Sequence, residues 1–363
     1  MAQYRYLFAD LTTNQIIGEL PLTGVSFTQQ LNTIGTFSGH LLLSGVNAYD
    51  MNVNNSTIPG RTAIYVDRDG TLIWGGIIWG RDYTSGNQTL TINAREFGSY
   101  FERRRITATI KYTNTDQLDI VRGLINTAQL ATNGSIGLAV GTETSGQLVS
   151  RTYYGYELKT VFSAIQDLSR ADNGFDFNVY VYYDSNGNPA KLLRLGYPRF
   201  GTPYTAGALN VPVLELTSNM VEYEYPEDGT IAANTVYALG AGSNEGKLIA
   251  TAVDATKLST GWPLLEEQAN YSDITDATLL ANLAAGQVAV VSYPPTTMKI
   301  TLPPYLDPVL GTYDVGDDIR IRILDDRFPT PGLDTVLRLV AFNVMPGEDG
   351  PERVTLVLTN TNN

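Results

Sequence analysis

A pattern of three consecutive strands occurs twice in this chain, and few architectures can absorb such a duplication. The first copy, Arg61 to Phe97, reads RTAIYVD, TLIWGGIIWGRDY and NQTLTINAREF, with Asp67-Arg68-Asp69-Gly70 and Tyr83-Thr84-Ser85-Gly86 between the strands. Those turn residues tolerate a positive φ. The second copy reads DDIRIRILDD, TVLRLVAFNVM and ERVTLVLTN, separated by loops at Arg327 to Leu333 and Pro346 to Pro351. Each copy opens just after a glycine, Gly60 and Gly316. Ile319, Ile321 and Ile323 alternate with Asp318, Arg320 and Arg322, the period of a half-buried strand. Two meanders of matching layout predict two similar β-barrels or sandwiches, although the side chains of the copies differ.

A chain of 363 residues has room for two or three domains and for a core large enough to fold without staples. With no cysteine, disulfides, thiolate zinc sites and cysteine nucleophiles are all excluded, which fits assembly in a reducing compartment. The start, MAQYRYLFADL, lacks a basic segment followed by an apolar one, and no run approaches a membrane span, so neither export by a signal peptide nor membrane anchoring is expected. A net charge of −13 argues against a general nucleic-acid surface, because phosphate binding needs clustered cations. Other proteins are the expected partners.

In chain order, Gln3 to Ala9 and a strand ending at Pro21 form a hairpin, followed by strands Val25 to Leu31 and Phe37 to Leu43. After Phe97 the pattern changes to helical. Asp116 is placed to cap a helix with Leu118, Val121, Leu124 and Ala128 on one face, and Leu158, Val161, Phe162, Ile165 and Leu168 mark a second. FDFNVYVYY and KLLRLGY, joined by Asp184 to Pro189, are strands of the same middle region. Strands at Met220 to Tyr225 and Asn234 to Leu239 begin the second barrel. An insertion then carries one helix, Asp276 to Ala285, stopped by Gly286, whose leucines must pack on something. The polar tail from Thr359 is expected to fray. The fold class is thus mainly β with a smaller α/β part: a first barrel at 1–105, a middle α/β domain at 106–215, a second barrel at 216–245 and 296–363, and an insertion at 246–295 packing on the middle domain.

No catalytic, cofactor or metal site assembles from the residues. His40 is the sole histidine, so a serine triad could form only around it and a two-histidine metal site cannot form. Its strand position beside Ser38 reads as structural. Asp184 to Asn188 imitates a calcium loop, but Pro189 stands where glycine is needed and Leu195 where the bidentate acid would fall, so it reads as a hairpin turn. Asp67 and Asp69 read as turn chemistry too. Phosphate-binding glycine fingerprints are absent. Arg103, Arg104 and Arg105 either pair with acids across a domain or subunit boundary or form a solvated junction. Trp74, Ile78 and Trp79 are candidate interface anchors or, because Leu72 to Trp79 is apolar on both faces, the core of a doubly covered strand.

GVSFTQQLNTIGTFSGHLLL, PGRTAIYVDRDGTLIWGGIIW and LTINAREFGSYFERRRI together resemble minor tail proteins of long-tailed bacteriophages (siphoviruses), notably those infecting actinobacteria. The resemblance, most specific over residues 4 to 110, is to the tail or baseplate hub family. It implies a non-enzymatic virion protein that joins the tail tube to the tip, assembled in the host cytoplasm. It also implies a homotrimer whose barrels form a pseudo-six-fold ring around a DNA channel. Implied partners are the distal tail or tube protein, the tape measure protein and other minor tail proteins, with phage DNA only in passage. An alternative is a tail-tip module that binds host cell-wall carbohydrate through tyrosines of the middle domain. A wall-degrading enzyme would need a carboxylate pair that no segment supplies.

Overall fold

A computed structural model describes residues 2–43, 51–204, 212–292, 297–303, 306–347 and 350–360. The first half opens with β1 (Tyr4–Asp10), β2 (Ile16–Glu19), β3 (Thr23–Gln30) and β4 (Thr36–Leu42). A single-turn helix, α1 (Val53–Ser56), precedes the first meander, β5 (Thr62–Arg68), β6 (Thr71–Thr84) and β7 (Thr89–Glu96). The middle region comprises β8 (Ile110–Asp116), α2 (Gln117–Leu130), β9 (Leu138–Val140), β10 (Leu148–Tyr153), α3 (Val161–Ser169), β11 (Asp176–Tyr183) and β12 (Pro189–Gly196). Next come β13 (Val213–Glu215), β14 (Glu222–Glu224), β15 (Thr235–Leu239), β16 (Ile249–Val253), α4 (Ala255–Ser259), β17 (Glu266–Asn270) and α5 (Ala277–Val291). The chain closes with β18 (Met298–Leu302) and the second meander, β19 (Asp318–Ile323), β20 (Leu333–Met345) and β21 (Arg353–Asn360). Of the tail expected to fray from Thr359, Thr359 and Asn360 are instead paired in β21 opposite Arg338 and Leu337, and the residues beyond 360 lie outside the described residues.

Both meanders belong to one 13-stranded sheet with the order β14-β18-β21-β20-β3-β4-β7-β6-β5-β1-β2, and β19 and β13 branch from β20. Apart from β2, the strand orders of the two halves match, β3-β4-β7-β6-β5-β1 in the first and β14-β18-β21-β20-β19-β13 in the second, except that β13 runs parallel to β19 where β1 runs antiparallel to β5. The layout is duplicated as the sequence suggested, yet the halves are not separate sheets, because β20 hydrogen-bonds β3 across the boundary.

One apolar core lies between the halves and joins Phe27, Trp74 and Ile78 to Ile319, Leu339 and Leu356. A second packs Leu72, Tyr65 and Ile77 against Leu124 of α2, Phe162 of α3 and Val181 of β11. β6 therefore has a core on each face, the reason its sequence is apolar in consecutive positions. Close approach is set by glycine. A Cβ on Gly76 would sit 2.3 Å from the Arg95 carbonyl oxygen, inside the β6–β7 ladder, whereas one on Gly80 would meet only Asn93 Cβ at 3.8 Å. Gly76→Ala should therefore cost roughly 1–3 kcal/mol of unfolding free energy in urea titrations, and Gly80→Ala less than about 0.5. Equal effects would show that the ladder yields freely at Gly76.

α2 starts where Asp116 accepts from the Leu118 N–H at 2.8 Å, as its capping position predicts. α3 starts later than the apolar spacing indicates: Thr160 is the cap, and Leu158 lies outside at φ +50°. Two further expectations are corrected. Asn234 to Leu239 does not join the second meander; β15 pairs β16 and β17 in a separate three-stranded sheet covered by α5. α5 also runs through Gly286, where a Cβ would lie 2.2 Å from the Arg170 carbonyl, so this glycine permits contact with the middle region rather than stopping the helix. The contact is reinforced by the Asp172 N–H to Asn282 carbonyl bond (3.0 Å) and by Asp273, which bridges Arg151 (2.8 Å) and Lys159 (2.9 Å). Among the described residues no helix is long and apolar enough to cross a membrane.

Candidate functional site

β20 is long because it serves two partners along one edge. Leu333 to Arg338 pair with β19, and after a bulge Ala341 to Val344 pair with Gln30 to Phe27 of β3. β6, its counterpart in the first half, has the same two-part construction but only one partner. Ala63 to Arg68 of β5 occupy the edge along Thr71 to Ile77, and beyond them the stretch Gly80 to Thr84 is paired only on its other edge, to β7. β14, the counterpart of β3, is likewise paired on one edge only, to β18. Among the described residues, then, the second half lacks the partner that β20 supplies to β3, and the first half lacks the partner that β3 supplies to β20. An open strand edge presents unpaired N–H and C=O groups to another chain. Tyr83 and Val221 beside these edges are exposed. The β14 segment carries Glu222 and Glu224, and the β6 segment carries Arg81.

Trp79 stands at the start of the open stretch, half-buried, with its indole N–H donating to Ser99 Oγ at 2.7 Å and the Arg103 guanidinium 5.7 Å from its ring. A surface depression of about 340 Å³ lies alongside, lined by Trp79, Asn93, Arg95, Phe37 and Ser38. The other members of the predicted group lie elsewhere. Trp74 and Ile78 are 2% and 0% exposed in the core between the halves, so they bind the halves to each other and are closed to a second subunit. Arg104 donates to the Ala128 carbonyl (2.8 Å) and Arg105 to the Leu158 carbonyl (3.2 Å), so these arginines tie the first meander's exit to the middle region through carbonyl oxygens. His40 lies over Gly24, its Nδ1 3.0 Å from Thr91 Oγ1, in a structural setting. Asp184 accepts N–H bonds from Asn186 and Asn188, and Asp67 accepts one from Gly70. Asp67 also accepts from the Tyr183 hydroxyl, a tie between the first half and the middle region that its turn motif does not reveal. Among the described residues no three metal-ligating side chains converge.

Buried polar residues that strand alternation missed hold the units together. Asp176 of β11 pairs with Arg338 of β20, and also accepts from Asn32 Nδ2 (2.8 Å) and the Phe200 N–H (2.7 Å). Asp318, assigned outward by alternation, is 5% exposed; it pairs with Arg199 and accepts from the Tyr204 N–H. Glu96, at the end of β7, is 5% exposed, and burial raises its pKa to about 8 despite the Gly35 N–H bond of 2.6 Å. The available signal was faint: Arg338 is the lone charge in the apolar run TVLRLVAF.

The backbone has solved counterparts. A tail protein from Neisseria meningitidis superposes with a TM-score of 0.61 at 15% identity, covering 98% of this chain and 96% of that one. The 43 kDa tail protein of prophage MuSo2 from Shewanella oneidensis gives 0.60 at 13% identity, covering 99% and 98%. The fold is that of phage tail proteins. The prophage tail protein gp18 from Listeria monocytogenes shares the tail-protein fold as well, at a TM-score of 0.56 and 13% identity over 97% of this chain and 94% of that one. No protein-family model and no curated protein matches the sequence. The likeness is therefore one of backbone fold, over nearly the whole length of both partners.

Proposed function

We propose that this protein is a structural component of the tail tip or baseplate hub of a long-tailed phage of actinobacteria, joining the tail tube to the tip. It acts as a homotrimeric ring in which each chain supplies two barrel-type modules, 1–105 and the second meander with β13, β14 and β18, while the middle α/β region and the β15-β16-β17 sheet with α5 lie outside. The carrying observation is the pair of open edges on β6 and β14. Repeating between chains the β20–β3 relation found within one chain would place β14 of each protomer along Gly80 to Thr84 of the next. A head-to-tail contact of this kind closes into a ring when its rotation is a whole fraction of a turn. Three chains would then present six similar modules to a six-fold tube. The net charge of −13 suits a channel through which DNA passes without being held. The distal tail or tube protein, the tape measure protein and other minor tail proteins are the neighbours in this reading, and no catalytic step is assigned.

Because the chain has no cysteine, engineered pairs report contacts without background. Tyr83→Cys combined with Glu222→Cys, oxidised in assembled tails, should yield a covalent trimer on non-reducing gels. Ile17→Cys with Glu222→Cys, which tests the β2 edge instead, should not. Cross-linking only through Ile17, or a tail map with other than three copies, would defeat the arrangement.

A further inference from the structure

Lys191 of β12 is buried, 2% exposed, and no carboxylate is among its partners. A buried ammonium ordinarily stands beside an acid, because its desolvation is otherwise uncompensated. Here Nζ lies 3.1 Å from the Asn14 carboxamide oxygen, 3.4 Å from the Tyr65 hydroxyl oxygen and 4.7 Å from the centre of the Phe97 ring. Burial lowers its pKa to about 8, which leaves roughly a tenth of the amine uncharged near pH 7. The facing amide is held in place. Asn14 sits at φ +58° in the β1–β2 turn, with its backbone N–H on the Asp10 carbonyl at 2.8 Å. Its Oδ1 accepts from the Tyr65 hydroxyl at 2.5 Å, and its Nδ2 donates to the Pro189 carbonyl. Tyr65 of β5 is 0% exposed. An amine, an amide carbonyl and a hydroxyl aimed at the carbonyl oxygen thus meet at one buried point from three segments of the chain.

We propose that Lys191 and Asn14 join in an intramolecular isopeptide bond. The neutral Nζ attacks Asn14 Cγ, and the Nζ–Cγ bond forms as the carbonyl electron pair moves onto Oδ1. The Tyr65 hydroxyl donates to that oxygen as charge develops on it. Within reach of Nζ as well, the same hydroxyl relays the proton that the amine gives up. The tetrahedral centre then collapses: the C=O is restored, the Cγ–Nδ2 bond breaks, and Nδ2 takes the proton and leaves as ammonia. Nothing is oxidised or reduced. By holding Nδ2, the Pro189 carbonyl fixes the plane of the amide for attack. The product amide is neutral, so a buried charge without a counter-charge is removed. It secures the β1–β2 turn of the first half to β12 of the middle region, in a chain with no cysteine to do so by a disulfide. The bond lies within one chain and is independent of ring formation.

Intact-mass measurement of the purified full chain, held overnight at pH 8, tests this. The parent should be lighter than the unlinked chain by one ammonia. Trypsin should release a branched peptide joining residues 6–61 to 171–194, because an acylated Lys191 is not cleaved. Lys191→Arg and Asn14→Ala should each keep the unlinked mass, and Tyr65→Phe should lose ammonia at least about tenfold more slowly than the parent. A parent at the unlinked mass would overturn the proposal. So would an ammonia loss that persists in Lys191→Arg, since it would place the reaction at another amide, and an undiminished rate in Tyr65→Phe would overturn the part given to the hydroxyl.

Discussion

Asp176→Ala should lower the unfolding free energy by about 3–5 kcal/mol, because it leaves the Arg338 guanidinium, 4% exposed, without its carboxylate. The loss is large because Asp176 serves three groups in three segments. It pairs with Arg338 of the second meander and accepts N–H bonds from Asn32 in the β3–β4 turn and from Phe200 after β12. Both halves are thereby held to the middle region at one oxygen pair. Arg338 also donates to the Gly316 carbonyl at 3.3 Å, which limits but does not replace the lost charge pairing. Replacing both partners, Asp176→Leu with Arg338→Met, should recover part of the loss, since no buried charge then stands alone. Recovery should be incomplete, because Asn32 and Phe200 still lose an acceptor. Urea titrations of the single and double variants measure this. A loss below about 1 kcal/mol for Asp176→Ala would show that water reaches Arg338 and that the junction is looser than its burial indicates.

Glu96→Gln should act in the opposite direction and with a pH signature. Burial raises the pKa of Glu96 from the usual 4.5 to about 8 in the folded chain, with the Gly35 N–H opposing the rise. Between those values the folded protein binds more protons than the unfolded one. Stability due to this group is therefore full below pH 4.5, falls as pH rises through the window, and levels off above 8. Glutamine carries no titrating proton and can still accept from Gly35. The variant should match the parent near pH 4.5 and exceed it by roughly 2–4 kcal/mol at pH 8. Thermal melts at pH 5 and pH 8 give the comparison. A variant less stable than the parent at pH 8 would mean that the Glu96 carboxylate is stabilised there as an anion.

Much of the secondary structure and the duplication were legible in the chain itself, because they rest on short-range physics. Alternation of period two marks β1, β3, β4 and both meanders, since neighbouring side chains on a strand face opposite ways. Asp116 marked the start of α2 through the N–H it accepts two residues on. The doubly apolar run around Trp74 announced a strand covered on both faces, and each face of β6 has its own core. Trp79, for which the sequence left both an interface anchor and a core position open, stands half-buried at the start of the open stretch of β6.

What the tertiary structure decided is which elements meet. β15 has the alternation of a meander strand, but its ladder partners are β16 and β17, and partner choice is written in backbone N–H and C=O groups that every strand possesses. Gly286 reads locally as a helix stop; only the Arg170 carbonyl packed against it shows that it is a point of close approach. Asp176 and Arg338 stand 162 positions apart, and each looks like a solvent-facing residue until the other arrives to neutralise it. The open edges of β6 and β14 are the extreme case. They are defined by the place a partner strand does not fill, and the chain reveals that place only when β20 is seen holding β3 in the corresponding position.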